Sequence, residues 1–227
     1  MRTAIEYIKE ALKIYFKKEN MAFFIKVMSI PVIFSTLATF LYEYYYPTEN
    51  YQEFDMSGGL TIFLVLTVVS ALLSFWMQAS AYFSILEINK NEFEVVKKSL
   101  RMLPTFVGVS LVLGLIILSG LLLLIIPAII FGLWYSFTLF LVFDKSMSLR
   151  EALKASKLMV KGRMMKVFGR FIVFGLFSIV VTMFVTIIPV AGSLVMGLLS
   201  PLFLLSSYLL YKDLLLINND TSEVVAS

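Results

Sequence analysis

Residues 104–143 read PTFVGVSLVLGLIILSGLLLLIIPAIIFGLWYSFTLFLVF, 40 residues without one charged side chain. A helix rises 1.5 Å per residue and the hydrocarbon core of a bilayer is about 30 Å thick, so one crossing takes about 20 residues. The stretch is therefore long enough to cross twice. Pro127 sits near its middle, after Ile125-Ile126. Proline lacks an amide donor and disfavours helix in the residue before it, which places a tight turn there. Residues 171–211 repeat the pattern: 41 uncharged residues with Pro189 after Ile187-Ile188. Two further uncharged stretches, Gly58 to Leu86 and Val27 to Tyr42, make one crossing each, with Lys26 at the edge of the latter snorkelling to the headgroups. The total is six.

Composition agrees. Of the 227 residues 60% are hydrophobic and 15% charged, with a mean hydropathy of +0.92. Soluble domains carry about 45–50% apolar and about 25% charged residues, and their surface-to-volume ratio leaves nowhere to hide so much apolar area. The expected fold class is all-α: a polytopic integral membrane protein with six transmembrane helices in three hairpins, each preceded by a cytoplasmic amphipathic helix. The competing reading of either proline hairpin is a single re-entrant segment.

The charges sort by side. The expected outer segments, Glu43 to Asp55 and the turns at Pro127 and Pro189, contain acids (Glu43, Glu49, Glu53, Asp55) and no lysine or arginine. The expected inner segments hold 6 basic residues in 1–26, 4 in 87–103, 8 in 144–170 and 1 after 211, all 19 in the chain. Lys/Arg bias in short loops sets orientation, so both termini are expected in the cytoplasm and the protein in the plasma membrane. Tyr42, Tyr44, Tyr45 and Tyr46 read as an interfacial anchor at the outer end of the first span.

One membrane domain is expected over 1–211. It holds an amphipathic helix at 3–19, spans at about 22–45, 59–86, 104–126, 128–143, 169–188 and 191–211, and inner helices at 91–103 and 149–161. Residues 212–227 form a short cytoplasmic tail. The first 20 residues are charged and lack a signal-peptide pattern. Ile5, Ile8, Leu12 and Tyr15 mark the apolar face of the first inner helix. Phe93, Val96, Leu100 and Leu103 mark that of the second, with Asn91 as N-cap. Leu149, Ala152, Leu153, Ser156 and Val160 mark that of the third, with Ser148 and Glu151 as a capping box and Gly162 as stop. Helix, span, turn, span thus recurs three times as a weak internal repeat.

Little here carries chemistry. With no cysteine and no histidine, thiolate metal sites, disulfides and imidazole mechanisms are excluded. No uncharged stretch supplies the intramembrane ionisable residues on which ion-coupled transport and proton relays usually rest. No nucleotide or metal-ligand motif occurs, so no catalytic residue, cofactor or metal is assigned, and Glu49, Glu53 and Asp55 read as a solvated loop. The densest basic run, from Lys145 to Arg170, offers Arg150, Lys154, Lys157, Lys161, Arg163 and Lys166 to anionic lipid headgroups, or else serves topology alone. Nucleic acid is not an expected partner. Gln78, the most polar side chain of the second span, is expected to hydrogen-bond another helix or to face a pore. The pairs Ser110/Gly114 and Ser193/Gly197 have the spacing for close helix approach.

A resemblance adds to this. Leu-Leu-Ile-Ile-Pro at 123–127, Leu133-Trp134-Tyr135-Ser136, Phe143-Asp144, Glu151-Ala152-Leu153-Lys154-Ala155-Ser156, Lys161-Gly162-Arg163 and Tyr208-Leu209-Leu210-Tyr211-Lys212-Asp213-Leu214 resemble the membrane domain found in some glycerophosphoryl diester phosphodiesterases and in related multipass bacterial and archaeal proteins of unknown function. The likeness covers the C-terminal half; the N-terminal half matches only in layout. It implies a stand-alone membrane domain, since the residues after the last span are too few to form the soluble phosphodiesterase, and it carries over no catalytic residue. The expected function is a non-enzymatic module that anchors, scaffolds or contacts lipid, with a membrane protein or a second copy as possible partner. The alternative is a transporter or channel for a small or lipid-like solute, its cavity lined by Gln78, Thr67, Ser136, Thr138, Ser200, Ser206 and Ser207.

Overall fold

The computed structural model describes residues 1–45, 59–88, 90–185 and 189–226. These form helices joined by short turns, without a strand among them: α1 (Ala4–Tyr15), α2 (Lys18–Tyr45), α3 (Gly59–Leu86), α4 (Glu92–Arg101), α5 (Leu103–Leu123), α6 (Ile125–Tyr135), α7 (Thr138–Asp144), α8 (Leu149–Val160), α9 (Met164–Val185) and α10 (Pro189–Ala226). Six stretches are long and apolar enough to cross a bilayer: Lys18–Ala38, Phe63–Leu86, Leu103–Leu123, Ile125–Asp144, Met164–Val185 and Leu194–Asn218. The acidic loop with Glu49, Glu53 and Asp55, and the Tyr42–Tyr46 side chains, lie outside the described residues.

The turn in the 40-residue stretch falls at Leu124, not at Pro127. Leu124 is extended (φ −179°, ψ 162°), and Pro127 is the third residue of α6. The first four amides of a helix have no partner within it, so a proline there costs no hydrogen bond and the helix starts ahead of it. A Cβ built on Gly120 would lie 2.9 Å from Cα and N of Ala128. In an unbroken helix those residues would stand about 12 Å apart, so the chain folds back at Leu124. Glycine is needed at 120 because the two backbones nearly touch. In the other long stretch α10 begins at Pro189, the position where the missing amide and preset φ suit a helix start. It continues through Lys212 to Ala226, beyond the expected end at Tyr211.

The chain divides into two compact units. One comprises Lys18–Leu103 and Phe184–Pro201. In it α2 lies along α3, burying Phe24, Val27, Met28 and Phe83. Lipid tails are as apolar as leucine, so such helices are held by close contact and hydrogen bonds rather than by exclusion of water. Gly197 of α10 shows this: its missing Cβ would sit 2.7 Å from a methyl of Val32 and 3.4 Å from Sδ of Met77. Gly114, of the other expected pair, has nothing within 4 Å.

The second unit comprises Met1–Lys17, Pro104–Met183 and Leu202–Ser227. Rings join its helices: Phe140 stacks on Tyr211 at 5.3 Å, Phe106 on Phe143 at 5.9 Å, and Phe174 meets Tyr7 edge-on at 6.2 Å. The fourth crossing is broken between α6 and α7, where the sequence predicts one helix over 128–143. The Oγ of Ser156, on α8, donates to the Trp134 carbonyl (2.7 Å) and accepts from the Phe137 amide (3.2 Å). A side chain from another helix thus satisfies the groups that the break exposes, as buried backbone polar groups require.

Candidate functional site

Three helices are built on one plan. Counting from their N-caps Thr3, Asn91 and Ser148, each has glutamate three residues on (Glu6, Glu94, Glu151) and lysine six on (Lys9, Lys97, Lys154). The fourth residue (Tyr7, Val95, Ala152) and the eighth (Ala11, Ser99, Ser156) are fully buried in all three. The caps work as expected for Ser148, whose amide donates to Glu151 (3.0 Å), and for Asn91, whose side chain accepts from the amides of Phe93 and Glu94. Thr3 and Glu6 make a reciprocal box as well, and these hydrogen bonds hold the Glu6 carboxyl below the usual range. Gly162, at φ +81°, ends α8 as expected, in a conformation that costs other residues energy.

In α1 and α4 the expected faces hold at Tyr15 and Val96, which are buried, and fail at Ile5 and Phe93. Ile5 is 61% exposed and Phe93 72% exposed, while Tyr7 and Val95 are fully buried. Periodicity alone left the choice between adjacent stripes open, and side-chain hydrogen bonds decide it. In α4 the small Ser99 turns inward: its Oγ accepts from Trp76 Nε1 (3.1 Å) and pairs with Ser80 Oγ (2.9 Å), both on α3. Around it Lys26 pairs with Glu92 at 2.8 Å, and Glu87 takes both Lys90 and Lys98. Partial burial would raise the Glu87 carboxyl, but the two ammonium donors outweigh it and hold it below the usual range.

In α1 the inward turn serves a charged joint. Tyr7 Oη donates to Asp213 Oδ2 at 2.6 Å, and Arg2 Nη2 donates to Asp213 Oδ1 at 2.9 Å. Arg170 in turn donates to the Arg2 carbonyl through Nη2 (2.6 Å) and Nε (3.0 Å). Burial and the bonded carboxylate push the Tyr7 phenol up to about 12. The two residues before Asp213 hold the end of α7: Tyr211 Oη donates to Asp144 at 2.9 Å, and Lys212 Nζ does so at 3.1 Å. Tyr211-Lys212-Asp213 thus fastens the N-terminal helix and the end of the fourth crossing to α10. Sequence reading missed this joint, although Asp144 and Asp213 flanking otherwise uncharged stretches were a usable signal.

The basic run separates into engaged and unengaged cations. Arg163 donates to Asn218 (3.0 Å), and Lys157 Nζ stands 4.1 Å from the Trp134 ring centroid, a cation–π contact. The side chains of Arg150, Lys154, Lys161 and Lys166 are exposed and have no hydrogen-bond or ion-pair partner among the described residues. Between them stand large exposed apolar side chains, Leu158 at 56% and Met165 at 74%. Beside this surface a groove of about 360 Å³ runs between α6 and α9, lined by Ile129, Gly132, Leu133 and Ser136 on one side and Phe168, Phe171 and Ile172 on the other.

Gln78 is exposed on α3 and makes no hydrogen bond to another helix among the described residues; Trp76, Ala79, Ser80 and Phe83 are the buried positions at that level. Ser136 and Ser200 donate to carbonyls of their own segments, those of Leu133 and Gly197. Thr138 and Ser206 are buried with hydroxyls that have no hydrogen-bond partner among the described residues, and Thr67 is exposed. Among the described residues no three acids gather within reach of one metal ion. No protein-family model, no curated protein and no solved structure matches the chain.

Proposed function

We propose that this chain is a non-enzymatic membrane module whose basic face engages anionic phospholipid of the inner leaflet, with three helical hairpins, an amphipathic helix ahead of each, and both termini in the cytoplasm of a plasma-membrane protein. The observation that carries the reading is the α8–α9 surface, where unpaired Arg150, Lys154, Lys161 and Lys166 alternate with exposed Leu158 and Met165. A cation near an anionic leaflet gains on the order of 1 kcal/mol, and apolar side chains between cations suit the headgroup–acyl boundary better than an aqueous acidic partner. The kinship with the phosphodiesterase membrane domain belongs to the same proposal. The residues that carry it, Glu151–Ser156 and Tyr208–Leu214, are those that cap α8, mend the α6–α7 break and fasten α10 to Asp144 and Arg2.

The test is thermal unfolding of the purified protein in neutral nanodiscs with and without a fraction of phosphatidylglycerol. Anionic lipid is expected to raise the midpoint of the wild type by several degrees and to leave K154Q/K157Q/K161Q nearly unmoved. An equal rise in both would refute the lipid reading. Saturable solute uptake by proteoliposomes, absent from empty liposomes, would favour the transporter instead.

A further inference from the structure

The groove between α6 and α9 and the lysines of α8 lie end to end. α6 ends and α9 begins on the side where α8 sits: Ser156 of α8 bonds the Trp134 carbonyl, and Lys157 covers the Trp134 ring. Leu133 and Ser136, on either side of that contact, line the groove, and so do Phe168 and Phe171 in the second and third turns of α9. Lys161 is the C-cap of α8, its amide donating to the Lys157 carbonyl at 2.9 Å, so the two lysines stand one turn apart at the end of the helix. From this end the groove runs along α6 to Ile129, about 10 Å. Its rim is open, with Ile129 44% and Ile172 46% exposed. The lining is apolar apart from Ser136, whose hydroxyl already donates to the Leu133 carbonyl. The volume falls within the range of small-ligand sites, roughly 300–1,000 Å³.

An apolar channel with cations at one end matches one kind of molecule. We propose that this is a discrete binding site for a single anionic phospholipid, with one acyl chain in the α6/α9 groove and the phosphate between Lys157 and Lys161. The proposal rests on the lipid reading above and deepens it from a diffuse basic surface to a site with a floor. Lys157 is held in place by the Trp134 ring, so less side-chain freedom is lost on capturing the phosphate. Gly132 opens the middle of the groove: a Cβ there would meet nothing within 4 Å, so a larger residue would grow into the space the chain occupies.

The experiment uses the full chain in phosphatidylcholine nanodiscs doped with phosphatidylglycerol or phosphatidylcholine brominated on one acyl chain. Bromine quenches tryptophan fluorescence on contact. The chain has two tryptophans, and the same titration on W134F supplies the Trp76 background. Brominated phosphatidylglycerol is expected to quench Trp134 at a several-fold lower mole fraction than brominated phosphatidylcholine. Both G132L and K157Q/K161Q are expected to bring the two lipids level. Equal quenching in the wild type would overturn the site. If the preference disappears in K157Q/K161Q but survives in G132L, the headgroup reading stands and the groove assignment falls. Displacement by an acidic peptide without any lipid preference would assign the surface to a protein and refute the proposal.

Discussion

Tyr7 Oη donates to Asp213 Oδ2 across 2.6 Å of space and 206 residues of chain. Tyr7 is fully buried, and the same carboxylate holds Arg2. One acid of α10 thus holds both Arg2 and Tyr7, and α1 is docked on α10. A hydrogen bond to a charged group is worth about 1.5–3 kcal/mol. Y7F is expected to lose about that much, with amide exchange rising through Ala4–Tyr15 before the rest of the protein opens. D213N, which also discharges the partner of Arg2, is expected to lose more. Unchanged exchange in α1 for both variants would show that the contact does not hold it.

The same pair sets an alkaline limit. The Tyr7 phenol is raised to about 12 from 10.0. A group raised on folding contributes stability that is fully present below its unfolded value and lost as pH rises through its folded value. The docking of α1 is therefore expected to weaken between about pH 10 and pH 12. Exchange in α1 of the wild type should climb over this window, and that of Y7F, already elevated, should climb less.

Gly120 and Gly114 provide a matched comparison six residues apart on α5. Alanine at 120 would press its Cβ into the Ala128 backbone at 2.9 Å, while alanine at 114 meets nothing. G120A is expected to destabilise by about 1–3 kcal/mol through overpacking. G114A is expected to be neutral or slightly stabilising, since alanine is the better helix former. Equal melting temperatures for the two would contradict the fold-back at Leu124.

Ser156 closes the break in the fourth crossing. S156A leaves the Phe137 amide unpaired in a buried place, at a cost of about 1–3 kcal/mol. Tighter exchange protection, or no change, at Phe137 in S156A would rule out the role given to the serine.

How far the sequence could be read follows from the range of each interaction. Hydropathy and length place the six crossings because the bilayer imposes them segment by segment. The starts at Asn91 and Ser148 and the stop at Gly162 were legible because a cap is made by residues within one turn. The turn at Leu124 was misplaced by three residues because proline marks the neighbourhood of a helix start, not which residue is extended. The α6–α7 break depends on Ser156, some twenty residues away, and leaves no local trace; Asp213 stands out beside an uncharged stretch, but its partner Tyr7 is 206 residues away and is not marked locally. The basic run was visible as composition; which of its lysines are engaged, and that a groove adjoins them, depends on packing between helices.

The proposed arrangement, six crossings with every cation on one side, is tested most directly by its topology. The chain has no cysteine, so single cysteines placed by E49C, K97C and K154C can be probed in intact cells with a membrane-impermeant maleimide. Cysteine at 49 should label in intact cells, and those at 97 and 154 only after the membrane is permeabilised. Labelling of cysteine 154 in intact cells, as readily as of cysteine 49, would contradict the topology and with it the lipid site built on α8.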